Sequence, residues 1–132
     1  MIKTLKNIEV LNILIGLSKS DIKSKQMPVS FLWSLKCNLK KLEEVNKLFE
    51  DSRQELINNY STDDKSFVEV DENNHEQRKI KPEFQESWVS DNNELLNQET
   101  EFEFKTVDID SLNNITMSPT DFDLLSLFMF EI

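Results

Sequence analysis

The chain has 132 residues but no alanine, one glycine, one cysteine, one histidine and three prolines. Each scarcity excludes something. The lone Cys37 rules out an intramolecular disulfide framework, and its helical surroundings suit a small buried hydrophobe. The lone His75 rules out a histidine-based metal cluster, and it falls in a polar turn where exposure is expected. One glycine, Gly16, cannot build a glycine-rich phosphate loop. The segment "DENNHE" lacks the glycine and the glutamate spacing of a calcium loop. No basic stripe with interleaved aromatics speaks for direct nucleic-acid binding. No run reaches the ~18 apolar residues of a membrane span. Glu9 and Asn12 interrupt the apolar opening segment, and no small-residue cleavage site follows, so it is not read as a secretory leader. The expectation is a cytoplasmic protein with no cofactor and no metal, and not an enzyme.

What is present is globular in character: 38% hydrophobic and 30% charged residues, a balance able to bury a core. Asparagine, lysine and isoleucine, which have AT-rich codons, are abundant, and the types with GC-rich codons are scarce. That bias points to a low-GC genome. One domain over 1–132 is expected, with a helical part at 1–60 and an acidic α+β part at 61–132.

Apolar residues at 8, 10, 11, 13, 14, 15 and 17 predict a helix over 7–18, with Asn7 as N-cap. Pro28 suits the first turn of a second helix over 28–60. Leu35, Leu42, Phe49 and Leu56 lie seven apart there, with Leu32, Leu39, Asn46, Arg53 and Tyr60 as the neighbouring seam, which demands a packed partner. Segments 66–70 and 77–81 read as a hairpin around Asn73-Asn74. With glycine so scarce, the four Asn-Asn pairs at 58-59, 73-74, 92-93 and 113-114 read as chain punctuation. Pro82 opens another helix, expected to break near Ser90, where Asp91 and Glu94 would cap a second segment. Ser118 as N-cap, Pro119 and Asp121 mark the start of a last helix running to the C-terminus. Leu124, Leu125, Leu127, Phe128, Met129 and Phe130 then make it apolar on most sides, so either the core or a second subunit must cover it. The expected fold is α+β: a long helical hairpin, a small antiparallel sheet from 66–70, 77–81 and 101–109, and a C-terminal helix.

The stretch "ETEFEFKTVDID", residues 99–110, alternates and then changes phase. Phe102 and Phe104 share one face of a strand, whereas Val107 and Ile109 have the opposite parity. A bulge near Lys105-Thr106, or a strand covered on both faces, would reconcile them. Either leaves Glu99, Glu101 and Glu103 as an acidic row.

Charge is unevenly spread. Residues 1–60 carry ten Lys/Arg and seven Asp/Glu, a net of +3, while residues 61–132 carry five and eighteen, a net of −13. From Pro82 onward there are twelve acids and one base, Lys105. Such a surface repels nucleic acid and membranes and attracts basic grooves. Carboxylates satisfy the same Arg and Lys donors as phosphates do. The candidate partner-binding residues are therefore Glu99, Glu101, Glu103, Asp108, Asp110, Asp121 and Asp123. Acid pairs such as Asp108/Asp110 or Asp121/Asp123 are too common in acidic chains to mark a catalytic site.

The order of "LKNIEVLNIL", "MPVSFLWSLKCNLKKLEEV", "FEDSRQELINNY", "LLNQETEFEF" and "MSPTDFDLLSLFMFEI" resembles that of an uncharacterised family of small proteins from phages and prophages of low-GC Gram-positive bacteria. Asn73-Asn74 stands where that family has a glycine-containing turn. The resemblance implies a phage context and carries no activity with it. In that context the expected role is a non-enzymatic inhibitor of a host defence protein. It would be anti-CRISPR-like, block a nucleic-acid-binding groove with its acidic face, and work in the host cytoplasm. The alternative is a virion assembly or tail-associated interaction protein, possible as a homodimer, using the heptad seam and the last helix for association.

Overall fold

The computed structural model describes residues 1–113 and 115–131. The fold is α+β. In chain order the elements are β1 (Ile2–Lys6), α1 (Asn7–Lys19), a 3-10 turn (Ile22–Ser24), α2 (Val29–Tyr60), β2 (Ser66–Val70), β3 (Glu76–Ile80), α3 (Pro82–Leu96), β4 (Glu99–Glu103), a second 3-10 turn (Ile109–Leu112) and α4 (Pro119–Ser126). Two compact units form, Met1–Lys47 with Glu99–Ile132, and Leu48–Gln98. The division falls inside α2, away from the change in charge at residue 60.

The first unit is built on an antiparallel ribbon of β1 and β4, in which Ile2 pairs with Glu103 and Lys6 with Glu99. Its partner strand therefore differs from the one expected: 66–70 and 77–81 form their own sheet, and 101–109 is no part of it. Strand β1 escaped notice because it is only five residues long and runs straight into α1. The Met1–Phe104 pair continues the ribbon, with Phe104 N–H donating to the Met1 carbonyl at 2.8 Å. Leu5, Phe102 and Phe104 point inward, joined by Val10, Ile13 and Leu17 of α1, Phe31, Leu35 and Leu42 of α2, and Leu125, Phe128, Met129 and Phe130. Phe104 stacks on Phe102 at 5.1 Å and meets Phe128 edge-on at 6.0 Å.

The phase change is resolved by neither a bulge nor a doubly covered strand. Strand β4 stops at Glu103, and the fully buried Asn38 of α2 takes hold of the next backbone unit. Its Oδ1 accepts from Lys105 N–H at 2.9 Å, and its Nδ2 donates to the Lys105 carbonyl at 2.8 Å. The same amide nitrogen lies 3.1 Å from the Phe128 carbonyl, and Val107 N–H donates to the Met129 carbonyl at 2.9 Å. Residues 104–107 are thus extended without being a strand. Ile109, at 38% exposure, belongs to the 3-10 turn rather than the core.

The seam of α2 keeps the expected row Leu35, Leu42 and Phe49, and Tyr60 with it, but its companion row differs from the one expected. Apart from Ser34 and Tyr60, the buried positions are Phe31, Leu35, Asn38, Leu42 and Phe49, with Val45 half-buried between them. This is a 4-3 alternation, so the companion of the Leu35 series is 31-38-45, not 32-39-46-53. Leu32 and Arg53 are exposed. A polar residue at position 38 hid the correct stripe.

Helix α1 is capped one residue earlier than expected. Lys6 occupies the N-cap position and Asn7 is buried in the first turn. Glu9 accepts from Lys6 N–H at 3.0 Å, but the lysine side chain has no acceptor to return the bond, so only half a capping box forms. Gly16 faces α4: a Cβ there would sit 3.1 Å from Leu124 Cδ2. The Leu124 branch is only half-buried and can rotate away. Gly16→Ala is therefore expected to leave stability within about 1 kcal/mol of the original, the helix-propensity gain offsetting the crowding. Gly16→Leu should lose about 1–3 kcal/mol by overpacking. Urea unfolding midpoints of the two variants check this.

Helix α4 keeps its expected start: Ser118 Oγ accepts from Asp121 N–H at 3.1 Å, with Pro119 at the first helical position. It ends at Ser126 rather than continuing to the C-terminus, and Leu127–Met129 form turns. Leu125, Phe128, Met129 and Phe130 are covered by the unit's own core.

In the second unit β2 and β3 pair as a hairpin, Ser66 with Ile80 and Val70 with Glu76. Its turn is held by Asp71, whose carboxylate accepts from the N–H groups of Asn73 and His75, both at 2.9 Å. Asn74 takes the positive φ of 61° that glycine would otherwise supply. Two of the other asparagine pairs do not serve that purpose. Asn58-Asn59 lies in the last turn of α2 and Asn92-Asn93 lies inside α3, while Asn114 is outside the described residues. Helix α3 is continuous through Ser90 over fifteen residues, so the expected break is absent and Asp91 serves Tyr60 instead. The Tyr60 hydroxyl donates to Asp91 Oδ2 at 2.7 Å, its ring meets Trp88 edge-on at 5.4 Å, and the Lys65 ammonium lies over that ring at 5.1 Å.

The hydrogen bond to Asp91, then burial and the carboxylate's charge, raise the Tyr60 pKa above its ordinary 10.0. The neutral phenol is the form the fold prefers. Its contribution is fully present below the unfolded value of about 10 and is lost as pH rises through the folded value. As the chain's single tyrosine, Tyr60 can be titrated by tyrosinate absorbance. The midpoint should lie above that of a free tyrosine and should fall toward it in Asp91→Asn.

Candidate functional site

The acidic row exists as a geometric object. Strand alternation sends Phe102 inward and leaves Glu99, Glu101 and Glu103 exposed on the outer face of β4. Opposite them on β1 stand Lys6, Thr4 and Ile2. At about 3.4 Å per residue, successive carboxylates lie roughly 6.8 Å apart. Among the described residues none of the three carboxylates enters a hydrogen bond or an ion pair. The ribbon is braced from behind by Lys41 of α2, whose Nζ donates to the Glu103 carbonyl.

The other four candidates are placed elsewhere. Asp108 is the N-cap of the 3-10 turn and accepts from Asp110 N–H at 2.9 Å. Both remain exposed. Asp108 also lines a cavity of about 340 Å³ with Thr106, Val107, Ile109 and Glu131. Glu131 was not among the candidates, because as the penultimate residue it carried no pattern. Asp121 is 9% exposed in the first turn of α4, where its charge suits the helix N-terminus and is largely withdrawn from any partner. Asp123 is exposed on α4. The seven acids therefore do not form one site. The structure aligns Glu99, Glu101 and Glu103, sets Asp108 with Asp110, and separates Asp121 from Asp123 by burial.

Among the described residues, no three His, Cys, Asp or Glu side chains converge as metal ligands, and no helix is long and apolar enough to cross a membrane. His75 is exposed beside Asp71, and Cys37 is half-buried.

Counted by structural unit, the acidity has a different centre from the one the sequence halves imply. Leu48–Gln98 carries five Lys/Arg and thirteen Asp/Glu, a net of −8, whereas the remainder carries ten and twelve, a net of −2. The row on β4 is thus a local acidic line within a nearly balanced unit. That unit also carries lysines 23, 36 and 40 on the outer surface of α2 and the turn before it.

No family model, no curated protein and no solved structure matches this chain.

Proposed function

We propose that this protein is a non-enzymatic, phage-encoded inhibitor that presents the outer face of the β1–β4 ribbon to a basic, nucleic-acid-binding groove of a host defence protein, in the manner of an anti-CRISPR. The observation that carries this reading is the line of three exposed, unengaged carboxylates on β4. Arg or Lys donors placed for phosphates would meet these carboxylates with the same charge-assisted hydrogen bonds. Because these groups have no partner among the described residues, binding would cost none of the ion pairs described.

The test is a pull-down from a lysate of a low-GC Gram-positive host, comparing the original protein with Glu101→Lys/Glu103→Lys, followed by mass spectrometry. The expected result is a nucleic-acid-binding protein retained by the original chain and lost by the double variant. Retention should also fall between 0.1 M and 1 M salt, as the Debye length shrinks from about 10 Å to about 3 Å. Folding should be unchanged, since exposed charges contribute little to stability. If the double variant retains the same protein, the row is a solvated surface. The alternative, a virion assembly protein associating through its last helix, is weakened by the burial of Leu125, Phe128, Met129 and Phe130 within the chain's own core.

A further inference from the structure

The first half of α2 exposes apolar side chains beside lysines. Val29, Leu32 and Trp33 are 83%, 42% and 60% exposed. At helical spacing they continue into Lys36 and Lys40, so that 29, 33, 36 and 40 form one stripe. Beside it runs a groove of about 420 Å³, lined by Lys23, Leu32, Leu35, Lys36, Leu39, Lys40 and Glu43. Leucines form its floor. Lys23, Lys36 and Lys40 stand on its rim, exposed, and among the described residues none of the three takes part in an ion pair or hydrogen bond.

Leucine and tryptophan left in water beside unpaired lysines are costly to leave uncovered. A cover must satisfy both features at once. We infer that this groove docks an acidic amphipathic helix of a partner protein, with apolar side chains seated on Leu32, Leu35 and Leu39 and carboxylates on Lys23, Lys36 and Lys40. The stripe from Val29 to Lys40 runs about 16 Å at 1.5 Å per residue, which is three helical turns and the footprint of the helix-in-groove mode. Three cations against the single Glu43 favour an acidic ligand over a neutral one. An anionic bilayer is disfavoured because Leu35 is buried and Leu39 half-buried, where a flat surface does not reach them. This surface is independent of the acidic row on β4.

The test uses the full chain labelled with fluorotryptophan, so that Trp33 and Trp88 give separate fluorine resonances. The probe is a synthetic amphipathic peptide of about fourteen residues, leucine on one face and glutamate on the other. The control carries lysine in place of glutamate. The Trp33 resonance should shift saturably with the glutamate peptide, while Trp88 stays fixed and the lysine peptide has no effect. Lys36→Glu/Lys40→Glu should raise the Kd at least about tenfold, and Glu101→Lys/Glu103→Lys should leave it unchanged. Several results overturn the inference. One is an equal response to both peptides. Another is a shift driven by protein concentration alone, which assigns the groove to a second copy. A third is a response only to phosphatidylserine vesicles, which assigns it to a membrane. No response at all also overturns it.

Discussion

Asn38→Leu is expected to destabilise the first unit by about 2–4 kcal/mol, although leucine is the better helix former and close to asparagine in size. The amide is fully buried and makes three backbone contacts, accepting from Lys105 N–H and donating to the carbonyls of Lys105 and Phe128. Leucine restores none of them, and each buried backbone group left without a partner costs about 1–3 kcal/mol. Partial access of water at Lys105 limits the total. Asn38→Asp sharpens the test. Its carboxylate could still accept from Lys105 N–H but would face two carbonyl oxygens with no proton to offer. At neutral pH it should be less stable than Asn38→Leu. The variant carboxyl would titrate higher when folded than the unfolded value of about 3.9. The stability of Asn38→Asp should therefore rise as pH falls through the folded value toward about 4, where the acid regains a donor. Urea unfolding across pH measures all of this. An Asn38→Leu midpoint equal to the original would mean that the clamp on Lys105 contributes nothing.

That clamp also explains which parts of the fold were legible in the sequence. Segments with long, uninterrupted periodicity came through: α1, α2 and the 66–70 strand lie within a residue or two of their expected places. So did the Ser118-Pro119 helix start, because capping is local chemistry. Three of the failures share a cause, which is that the deciding partner is distant in sequence. Residues 104–107 change phase because Asn38 and Met129 hold their backbone, and no pattern within "ETEFEFKTVDID" could reveal that. The true seam of α2 passes through that same asparagine, so a reading by hydrophobicity stepped one residue aside, to 32-39-46. The break expected at Ser90 assumed that Asp91 capped a helix. Its carboxylate belongs instead to Tyr60, thirty-one residues earlier.

The acidic row was legible for the converse reason. Period-two alternation of glutamate with threonine and phenylalanine fixes one exposed face without help from elsewhere. The lysine-rimmed groove was not, because Lys23 lies outside α2 and its approach to Leu35 and Leu39 is a matter of tertiary placement.

The largest loss of stability is expected from Phe128→Ala, about 3–5 kcal/mol in the first unit. Phe128 is completely buried, meets Phe104 edge-on at 6.0 Å, and offers its carbonyl to Asn38 at 3.1 Å. Truncation opens a cavity beside the aromatic pair and loosens the backbone that the clamp grips, so its cost should not add to that of Asn38→Leu. Sites sharing a partner couple, and the double variant should be more stable than the two single losses predict by about 0.5–3 kcal/mol. Phe122 provides the contrast. It lies six residues earlier, stacks on Phe130 at 5.7 Å, and is 38% exposed, so Phe122→Ala should cost distinctly less. Leu127, 40% exposed, should behave similarly. Unfolding of Phe128→Ala at several protein concentrations separates the two ways of covering this apolar segment. If the chain's own core is the cover, Phe128→Ala lowers the unfolding midpoint independently of protein concentration. A midpoint that climbs with concentration would instead assign the cover to a second subunit.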